Sequence, residues 1–256
     1  MSYIFVKLFG GLGNQLFQYA AGYLQRKISN GKAKLYFLKP INNHHDVTDY
    51  RTIFGLDKYD TTLPTHIVHL DHKENAFAQW NPNDYMGAVL MDGYFQNYSM
   101  LEQILPEFKQ TLLDSLKSQR EIMLLKYNIE SPAGFIHIRR GDYTSLSHIH
   151  HIQDLDYYSK ALQDSPDLNW YIFSDDLDWV KQQKLFRDLD PVFVDETDPI
   201  MSLALMSEIH DGAIIANSTF SWWGAYLGCG TSSVVYPLRW FNNSTPDLFP
   251  EEWLGI

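Results

Sequence analysis

Residues 134–143 read GFIHIRRGDY, a mostly apolar run that ends in two arginines, a glycine and an aspartate. From here to residue 236, short apolar runs alternate with stretches of helical spacing. They predict strands at residues 134–138, 170–173, 192–194, 213–216 and 233–236, and helices near residues 157–163, 177–186, 200–209 and 220–227. Alternating strands and helices favour right-handed crossovers and a parallel sheet covered on both faces. The sequence therefore predicts a Rossmann-like α/β unit.

The N-terminal half shows the same pattern more sparsely. Residues 3–9 have the pattern of a strand, a glycine-rich turn follows at residues 10–13, and helical spacing continues through Leu24. Further predictions are strands at residues 33–38 and 89–95 and helical periodicity at residues 100–127, with Pro106 as a kink or break. Periodicity is poor between residues 39 and 84, where no element is predicted. The simplest architecture is two α/β lobes, residues 1–118 and 133–256, that meet over a cleft.

Composition limits the classes of partner. The chain has 256 residues, a formal net charge of -11 and a pI near 5.2. An acidic protein lacks the extended basic surface that nucleic acids and anionic membranes require, so an anionic ligand must be held by a few local cations. A single cysteine, Cys229, excludes an internal disulfide, and no segment has the pattern of a signal peptide or a membrane span. We expect a soluble, cytoplasmic protein.

Arg139 and Arg140 come directly after the strand at residues 134–138. Ligands of open parallel sheets bind at the carboxyl ends of strands, so both arginines are well placed to meet an anion. Because successive strand residues point to opposite faces, one arginine is expected to reach the ligand and the other to brace the structure, perhaps against Asp142. One alternative is a surface ion pair at the strand end. Another is that Arg140-Gly141-Asp142 is an adhesion tripeptide, although such tripeptides are common by chance.

A second motif, NSTFSWWG at residues 217–224, lies where a strand turns into a helix. Hydroxyl groups and free backbone amides at a helix N-terminus form a phosphate site, and the helix dipole strengthens it. Ordinary capping by Ser218 or Thr219, with both tryptophans in the core, is the alternative and is compatible with phosphate binding.

The opening loop at residues 10–15 reads GGLGNQ. It lacks the third glycine of a dinucleotide fingerprint, and no acidic residue ends the second predicted strand, so a nicotinamide or flavin site is not expected. The loop would instead let backbone and the Asn14 amide approach a substrate closely. A simple packing turn is the alternative.

Residues 174–178 read SDDLD and have two interpretations. They could hold a divalent cation on a nucleotide diphosphate, or they could cap a helix, and their position at a strand-to-helix junction favours capping. The histidines His148, His150 and His151 are interpreted as loop residues. The sequence therefore predicts no metal site.

Five blocks together resemble the α-1,2-fucosyltransferase family. They are GGLGNQLFQYA at residues 10–20, DGYFQ at 92–96, HIRRGDY at 137–143, FSDD at 173–176 and NSTFSWWGA at 217–225. The resemblance spans nearly the whole chain and implies a two-lobed GT-B fold. It also implies GDP-β-L-fucose as donor substrate, a galactoside acceptor, inversion to an α-fucoside, and no metal or other cofactor.

The resemblance also assigns roles to residues. Arg139 matches the arginine assigned to the donor phosphates, and Asn14 matches an asparagine that lies beside the reacting sugar in related O-fucosyltransferases. Asp142 is the candidate base, with His137 as a weaker one. The predicted catalytic residues are Arg139, Asn14 and Asp142. The predicted substrate-binding residues are His137 on the nucleotide side, Ser218, Thr219 and Phe220 on the phosphates, and Arg140, Asp175, Gly11, Gly13, Gln15 and Gln96.

The chain departs from the family pattern before the C-terminal motif. Family members often carry Asp-x-x-Leu-Met-Ser, whereas Leu205-Met206-Ser207 follows Ser202-Leu203-Ala204 here. The sequence therefore leaves two candidates, Asp195 and Asp198, for the carboxylate that recognises guanine. Another nucleotide-sugar transferase, another fucosyl linkage and a non-catalytic glycan-binding module are the alternative functions.

Overall fold

In the part of the chain that the structure describes, five parallel strands build the N-terminal sheet. They are β1 (Tyr3–Val6), β2 (Lys34–Leu38), β3 (Lys58–Tyr59), β4 (Ile67–Asp71) and β5 (Ala88–Asp92). Their order across the sheet is β3-β2-β1-β5-β4. Helix α1 (Leu12–Ile28) connects β1 to β2, and α2 (Tyr98–Leu101) and α3 (Leu105–Ser115) follow β5. The computed structural model describes residues 2–40, 48–71, 87–144, 151–230, 233–242 and 246–256, apart from the side chains of Asp71 and Asp142.

Six parallel strands among the described residues build the second sheet. They are β6 (Ala133–Ile138), β7 (Asn169–Ser174), β8 (Val192–Phe193), β9 (Gly212–Ile214), β10 (Val234–Tyr236) and β11 (Leu254–Gly255). The helices around it are α4 (Lys117–Tyr127), α5 (Leu155–Gln163), α6 (Leu177–Gln182), α7 (Lys184–Arg187), α8 (Pro199–Met206) and α9 (Thr219–Gly228). The strand order is β11-β10-β9-β6-β7-β8. Read from β8 this is 3-2-1-4-5-6, the strand order of the Rossmann fold.

Apolar burial explains why these segments form. Every residue of β6 is buried, as expected for a strand covered on both faces. One face packs Ile136 and Ile138 with aromatic residues of α5 and β7 such as Tyr158 and Trp170. Helix α4 packs against α8, and α8 packs against α9, whose tryptophans are fully buried. The predicted core role of those tryptophans is therefore observed.

The chain divides into two compact units, Met1–Ser115 and Leu116–Ile256. Each unit contains one of the two sheets and a buried core of its own. Helix α4, which lies largely in the segment predicted to join the two lobes, belongs to the second unit. No helix in the described part of the chain is long and apolar enough to span a bilayer.

Several boundaries differ from the predicted ones. The helix predicted at residues 177–186 is two helices, because extended backbone at Gln183 separates α6 from α7. The helical stretch at residues 100–127 is three helices, and Pro106 is the second residue of α3, where proline is tolerated since the first amides of a helix have no intrahelical partner. Strands β3, β4 and β11 were missed because they are short or lie where periodicity is poor.

Candidate functional site

The strand order places two loops of the second unit next to each other. Strands β6 and β9 are neighbours, with Ile136 paired to Ile214, and the chain continues from them towards opposite edges of the sheet. Ligands of open α/β sheets bind at such a switch point, outside the carboxyl ends of the strands. The loop after β6 carries Arg139, and the loop after β9 carries Ser218. The fold therefore brings the two predicted phosphate-binding motifs together.

Arg139 is held by a carboxylate from the next strand. Its Nη1 lies 3.0 Å from Oδ2 of Asp175, and its guanidinium carbon lies 5.5 Å from the centre of the Tyr143 ring. The other oxygen of Asp175 accepts a hydrogen bond from the backbone N–H of Arg140. A Cβ at Gly141 would lie only 2.6 Å from Oδ2 of Asp175, so glycine is required for this approach. The predicted substrate residue Asp175 thus orients the predicted donor-site arginine.

Arg140 has different partners. Its Nε donates to Oδ2 of Asp176 at 3.1 Å, and its guanidinium lies 3.7 Å from the ring centre of Trp179. The other oxygen of Asp176 accepts from the Trp179 N–H and caps α6. Arg140 also borders an open cavity of about 440 Å³, lined in addition by residues 152–156 and Trp179. The two arginines therefore diverge as predicted, and the observed brace for Arg140 is Asp176; the side chain of Asp142, the predicted brace, lies outside the described part.

The N-terminus of α9 has no side-chain cap. Ser218 is the N-cap residue, but its side chain accepts no hydrogen bond from the helix amides, so the predicted capping by Ser218 does not occur. Thr219 and Phe220 form the start of the helix. Just before them, Asn217 donates through Nδ2 to the carbonyls of His151 and Trp240, both at 2.8 Å. The Asn217 side chain is thus held by two carbonyls, while the Ser218 hydroxyl makes no cap bond.

His137 is buried beneath this loop. Its ring centre lies 5.7 Å from that of Phe220, and its Nδ1 has no hydrogen-bond partner among the described residues. Burial, followed by the positive charge of Arg139, lowers the pKa of His137 to about 3, against a smaller opposing effect of Asp175. Because the protonated ring is such a strong acid, neutral His137 is a weak proton acceptor, which argues against its candidacy as the base.

In the first unit, Asn14 and Gln96 come together beyond the carboxyl ends of the neighbouring strands β1 and β5. Nε2 of Gln96 donates to Oδ1 of Asn14 at 2.9 Å. Gly10 has a φ of +76°, and a Cβ there would lie 2.5 Å from Nδ2 of Asn14. The glycine therefore gives the Asn14 amide the space that it occupies, and Gln96 fixes the orientation of that amide.

The other predicted residues of this loop are Gln15, Gly11 and Gly13. Gln15 is fully buried, and its Nε2 donates to the carbonyls of Gly10 and Thr48 at 3.0 and 3.1 Å. These two hydrogen bonds hold the loop in place, and the role of Gln15 as a substrate contact stays a prediction. Gly11 is the exposed N-cap residue of α1, and Gly13 is buried in the first turn of that helix.

Both carboxylates that are candidates for recognising guanine have partners in the protein. Asp195 accepts from the hydroxyl of Tyr127, and Asp198 caps α8 through the Ile200 N–H. No group of three or more potential metal-binding side chains occurs in the described ranges, which exclude His148 and His150. Sequence reasoning missed the roles of Tyr143 and Asn217, although both residues lie inside quoted motifs.

Comparison with known proteins gives a family match over the whole chain. The model of glycosyl transferase family 11 matches residues 3–256. The chain is 28% identical to the O-antigen biosynthesis glycosyltransferase WbnK of Escherichia coli, over 97% of this chain and 99% of that protein. It is also 28% identical to an α-1,2-colitosyltransferase of Escherichia coli, over 100% of this chain and 99% of that protein.

Two solved structures resemble the fold. The structure of POFUT1 in complex with GDP has a TM-score of 0.50 and 11% identity, and covers 92% of this chain and 97% of that chain. The structure of Arabidopsis thaliana FUT1 mutant R284K in complex with GDP has a TM-score of 0.48 and 13% identity, and covers 97% of this chain and 74% of that chain. Together with the two parallel sheets, the first likeness confirms the predicted pair of Rossmann-like units of the GT-B type.

Proposed function

Because this chain belongs to glycosyl transferase family 11, the α-1,2-fucosyltransferase family, we propose that it transfers L-fucose from GDP-β-L-fucose to the 2-hydroxyl of a terminal β-galactoside. The observation that carries the proposal is the placement of Arg139 and the N-terminus of α9 at one switch point. A nucleotide diphosphate needs cationic and N–H donors, and these two elements supply both. The GDP in the POFUT1 structure, whose fold is alike, supports the choice of nucleotide.

The proposed reaction is a single displacement with inversion. The acceptor oxygen forms a bond to C1 of fucose as the bond from C1 to the β-phosphate oxygen breaks, and GDP leaves with the bonding electron pair. Negative charge grows on the diphosphate while the sugar becomes electron-deficient. Arg139 and the first amides of α9 offset that charge with fixed donors, so a metal ion or other cofactor is not required in this scheme.

Two side chains are proposed to act on the sugars. Asn14 contacts the transferred fucose, the role that the family resemblance implies, and Gln96 keeps its amide oriented. The proton of the acceptor hydroxyl passes to Asp142, which remains the candidate base. His137 stays neutral and contributes its ring to the wall of the nucleotide site.

Colitosyl transfer is a second candidate, favoured by the similarity to an α-1,2-colitosyltransferase. Colitose is the 3-deoxy form of L-fucose, and the phosphate-binding residues do not distinguish the two sugars. The name of that relative supports the α-1,2 linkage for either donor.

A donor panel tests the proposal. The protein is incubated with GDP-fucose, GDP-colitose or GDP-mannose and an array of β-galactosides in excess EDTA, and the product linkage is read by NMR. We expect an α-1,2-fucoside at an undiminished rate. Another linkage, faster transfer from another donor, or activity that EDTA abolishes and manganese restores would each reject the corresponding part of the proposal.

A further inference from the structure

Tyr143 touches both loops that form the proposed phosphate site. Its hydroxyl donates to the backbone carbonyl of Asn217 at 2.9 Å, in the loop that leads into α9. Its ring lies 5.5 Å from the guanidinium carbon of Arg139, within the range of a cation–π interaction. One half-buried side chain on the 3-10 turn Asp142–Thr144 therefore connects the arginine to the start of the helix.

The two ends of this connection are themselves fixed. The Asn217 side chain is held by the carbonyls of His151 and Trp240, so the carbonyl that Tyr143 contacts belongs to an immobilised peptide. Arg139 is held from another side by Asp175 at 3.0 Å. Tyr143 therefore acts between two anchored groups, and a change in its hydroxyl or its ring alters the spacing between them.

We propose that Tyr143 is a positioning residue, which sets the distance and orientation of the Arg139 guanidinium relative to the first amides of α9. The inference rests on the proposed function and adds a residue to it. Both groups must reach one diphosphate as its charge grows, and preorganised donors lower the barrier because they need no rearrangement at that moment. The hydroxyl fixes the helix side of this arrangement, and the ring fixes the arginine side.

Two variants separate the two contacts. Tyr143→Phe removes the hydrogen bond to Asn217 and keeps the ring beside Arg139, whereas Tyr143→Leu removes both. We expect kcat for transfer from GDP-fucose to fall about 3- to 10-fold in the Phe variant, the range of one neutral hydrogen bond, and further in the Leu variant. The KM for the acceptor should stay near that of the wild type.

A matched control is available in the first unit. The hydroxyl of Tyr59 also donates to a backbone carbonyl, that of Thr62, at 3.3 Å. Tyr59→Phe removes the same kind of hydrogen bond away from the proposed phosphate site, so its kcat should equal that of the wild type. Thermal unfolding of all variants shows how much of any effect comes from stability alone.

A double-mutant cycle with Arg139→Lys tests whether Tyr143 acts through the arginine. Residues in one network have non-additive effects, so Tyr143→Leu should lower kcat less in the Arg139→Lys background than in the wild type. A folded Tyr143→Leu variant with wild-type kcat, or strictly multiplicative effects in the cycle, would overturn the inference.

Titration with GDP makes the failure of the inference distinguishable from failure of the proposed function. If the wild type binds GDP but transfers no fucose, the proposed donor is wrong, and weaker GDP binding by Tyr143→Phe and Tyr143→Leu still supports the positioning role. Unchanged GDP affinity in both variants then rejects that role.

Discussion

Arg139 and Arg140 show how far two identical neighbouring side chains can differ in role. Arg139 pairs with Asp175 and lies beside Tyr143, at the loop that faces the α9 N-terminus. Arg140 pairs with Asp176 and stacks on Trp179. A planar guanidinium stacked on an indole and fixed at Nε contributes mainly to local packing. Arg139 is therefore a candidate catalytic residue, whereas Arg140 stabilises the local structure.

Replacing each arginine by lysine tests this division. Lysine keeps the charge but loses the planar set of donors that can grip a diphosphate with two parallel hydrogen bonds. We expect Arg139→Lys to lower kcat roughly 10²-fold or more, as for removal of a preorganised transition-state donor. Arg140→Lys is the matched control and should mainly lower the free energy of unfolding. Wild-type turnover by folded Arg139→Lys would contradict the central assignment.

Burial of His137 makes the free energy of unfolding depend on pH. In the unfolded chain its imidazole takes up a proton near pH 6.5, whereas in the folded protein burial holds its pKa at about 3. Between these values the unfolded state binds one more proton, so this residue makes the protein less stable as the pH falls from about 6.5 to about 3.

Urea unfolding at pH 7 and pH 5 measures the effect. His137→Phe removes the titrating group and keeps a ring beside Phe220. The loss of unfolding free energy between the two pH values should be about 2 kcal/mol smaller in the variant than in the wild type. Parallel pH dependences for the two proteins would show that His137 is protonated in the folded state at pH 5.

At the scale of the element, the N-terminus of helix α9 differs from those of three other helices of its unit. Helices α5, α6 and α8 begin with aspartates whose carboxylates accept from an amide of the first turn. Helix α9 begins with Ser218, whose hydroxyl makes no such bond. A serine that makes no cap bond, and a first turn without acidic residues, suit an anionic ligand, since an aspartate there would repel it.

Two substitutions compare the proposed phosphate-binding residue Ser218 with Asp154, an ordinary helix cap. Ser218→Ala removes no cap bond, so the free energy of unfolding should change little, while the KM for GDP-fucose rises about 10-fold or more through loss of a hydrogen bond to a charged group. Asp154→Ala removes the cap of α5, where Oδ1 accepts from the Tyr157 N–H at 3.0 Å. It should cost about 1 kcal/mol of stability and leave transfer unchanged. The reverse pattern would assign Ser218 to folding alone.

Elements with strong patterns could be predicted from the sequence, and those set by tertiary contacts could not. Strand β6 and helix α1 are long and apolar, and they form near the predicted positions. Two-residue strands such as β3 carry no periodicity, because neighbouring strands define them. In the site, residue type and strand position indicated Arg139. The hydrogen bonds from Gln15 to Thr48 and from Tyr143 to Asn217 join residues that are distant in sequence. No local pattern could reveal those contacts.

For the whole molecule, each sheet places its predicted residues beyond the carboxyl ends of two neighbouring strands. In the first unit these are Asn14 after β1 and Gln96 after β5, and the same two strand ends are joined by the Lys7–Asp92 ion pair at 2.9 Å. In the second unit they are Arg139 after β6 and Ser218 after β9. The proposed phosphate-binding groups thus belong to one unit, and the proposed contact to the transferred sugar belongs to the other.

This division predicts that nucleotide binding and transfer can be separated. The second unit has a buried core of its own, formed by residues such as Ile136, Tyr158 and Val180, so a fragment of residues 116–256 should fold. It contains Arg139 and Ser218 and should bind GDP with a Kd within about 10-fold of the full chain, since one tenfold step corresponds to only about 1.4 kcal/mol of lost contacts.

Calorimetric titration of the fragment with GDP measures that Kd, and circular dichroism with cooperative thermal unfolding establishes that it is folded. The same fragment carrying Arg139→Lys is the control, and its GDP binding should weaken as it does in the full chain. Transfer from GDP-fucose should be absent because Asn14 is missing. A folded fragment that fails to bind GDP would mean that residues of the first unit hold the nucleotide, and the assignment of the phosphate site to β6 and α9 would then be incomplete.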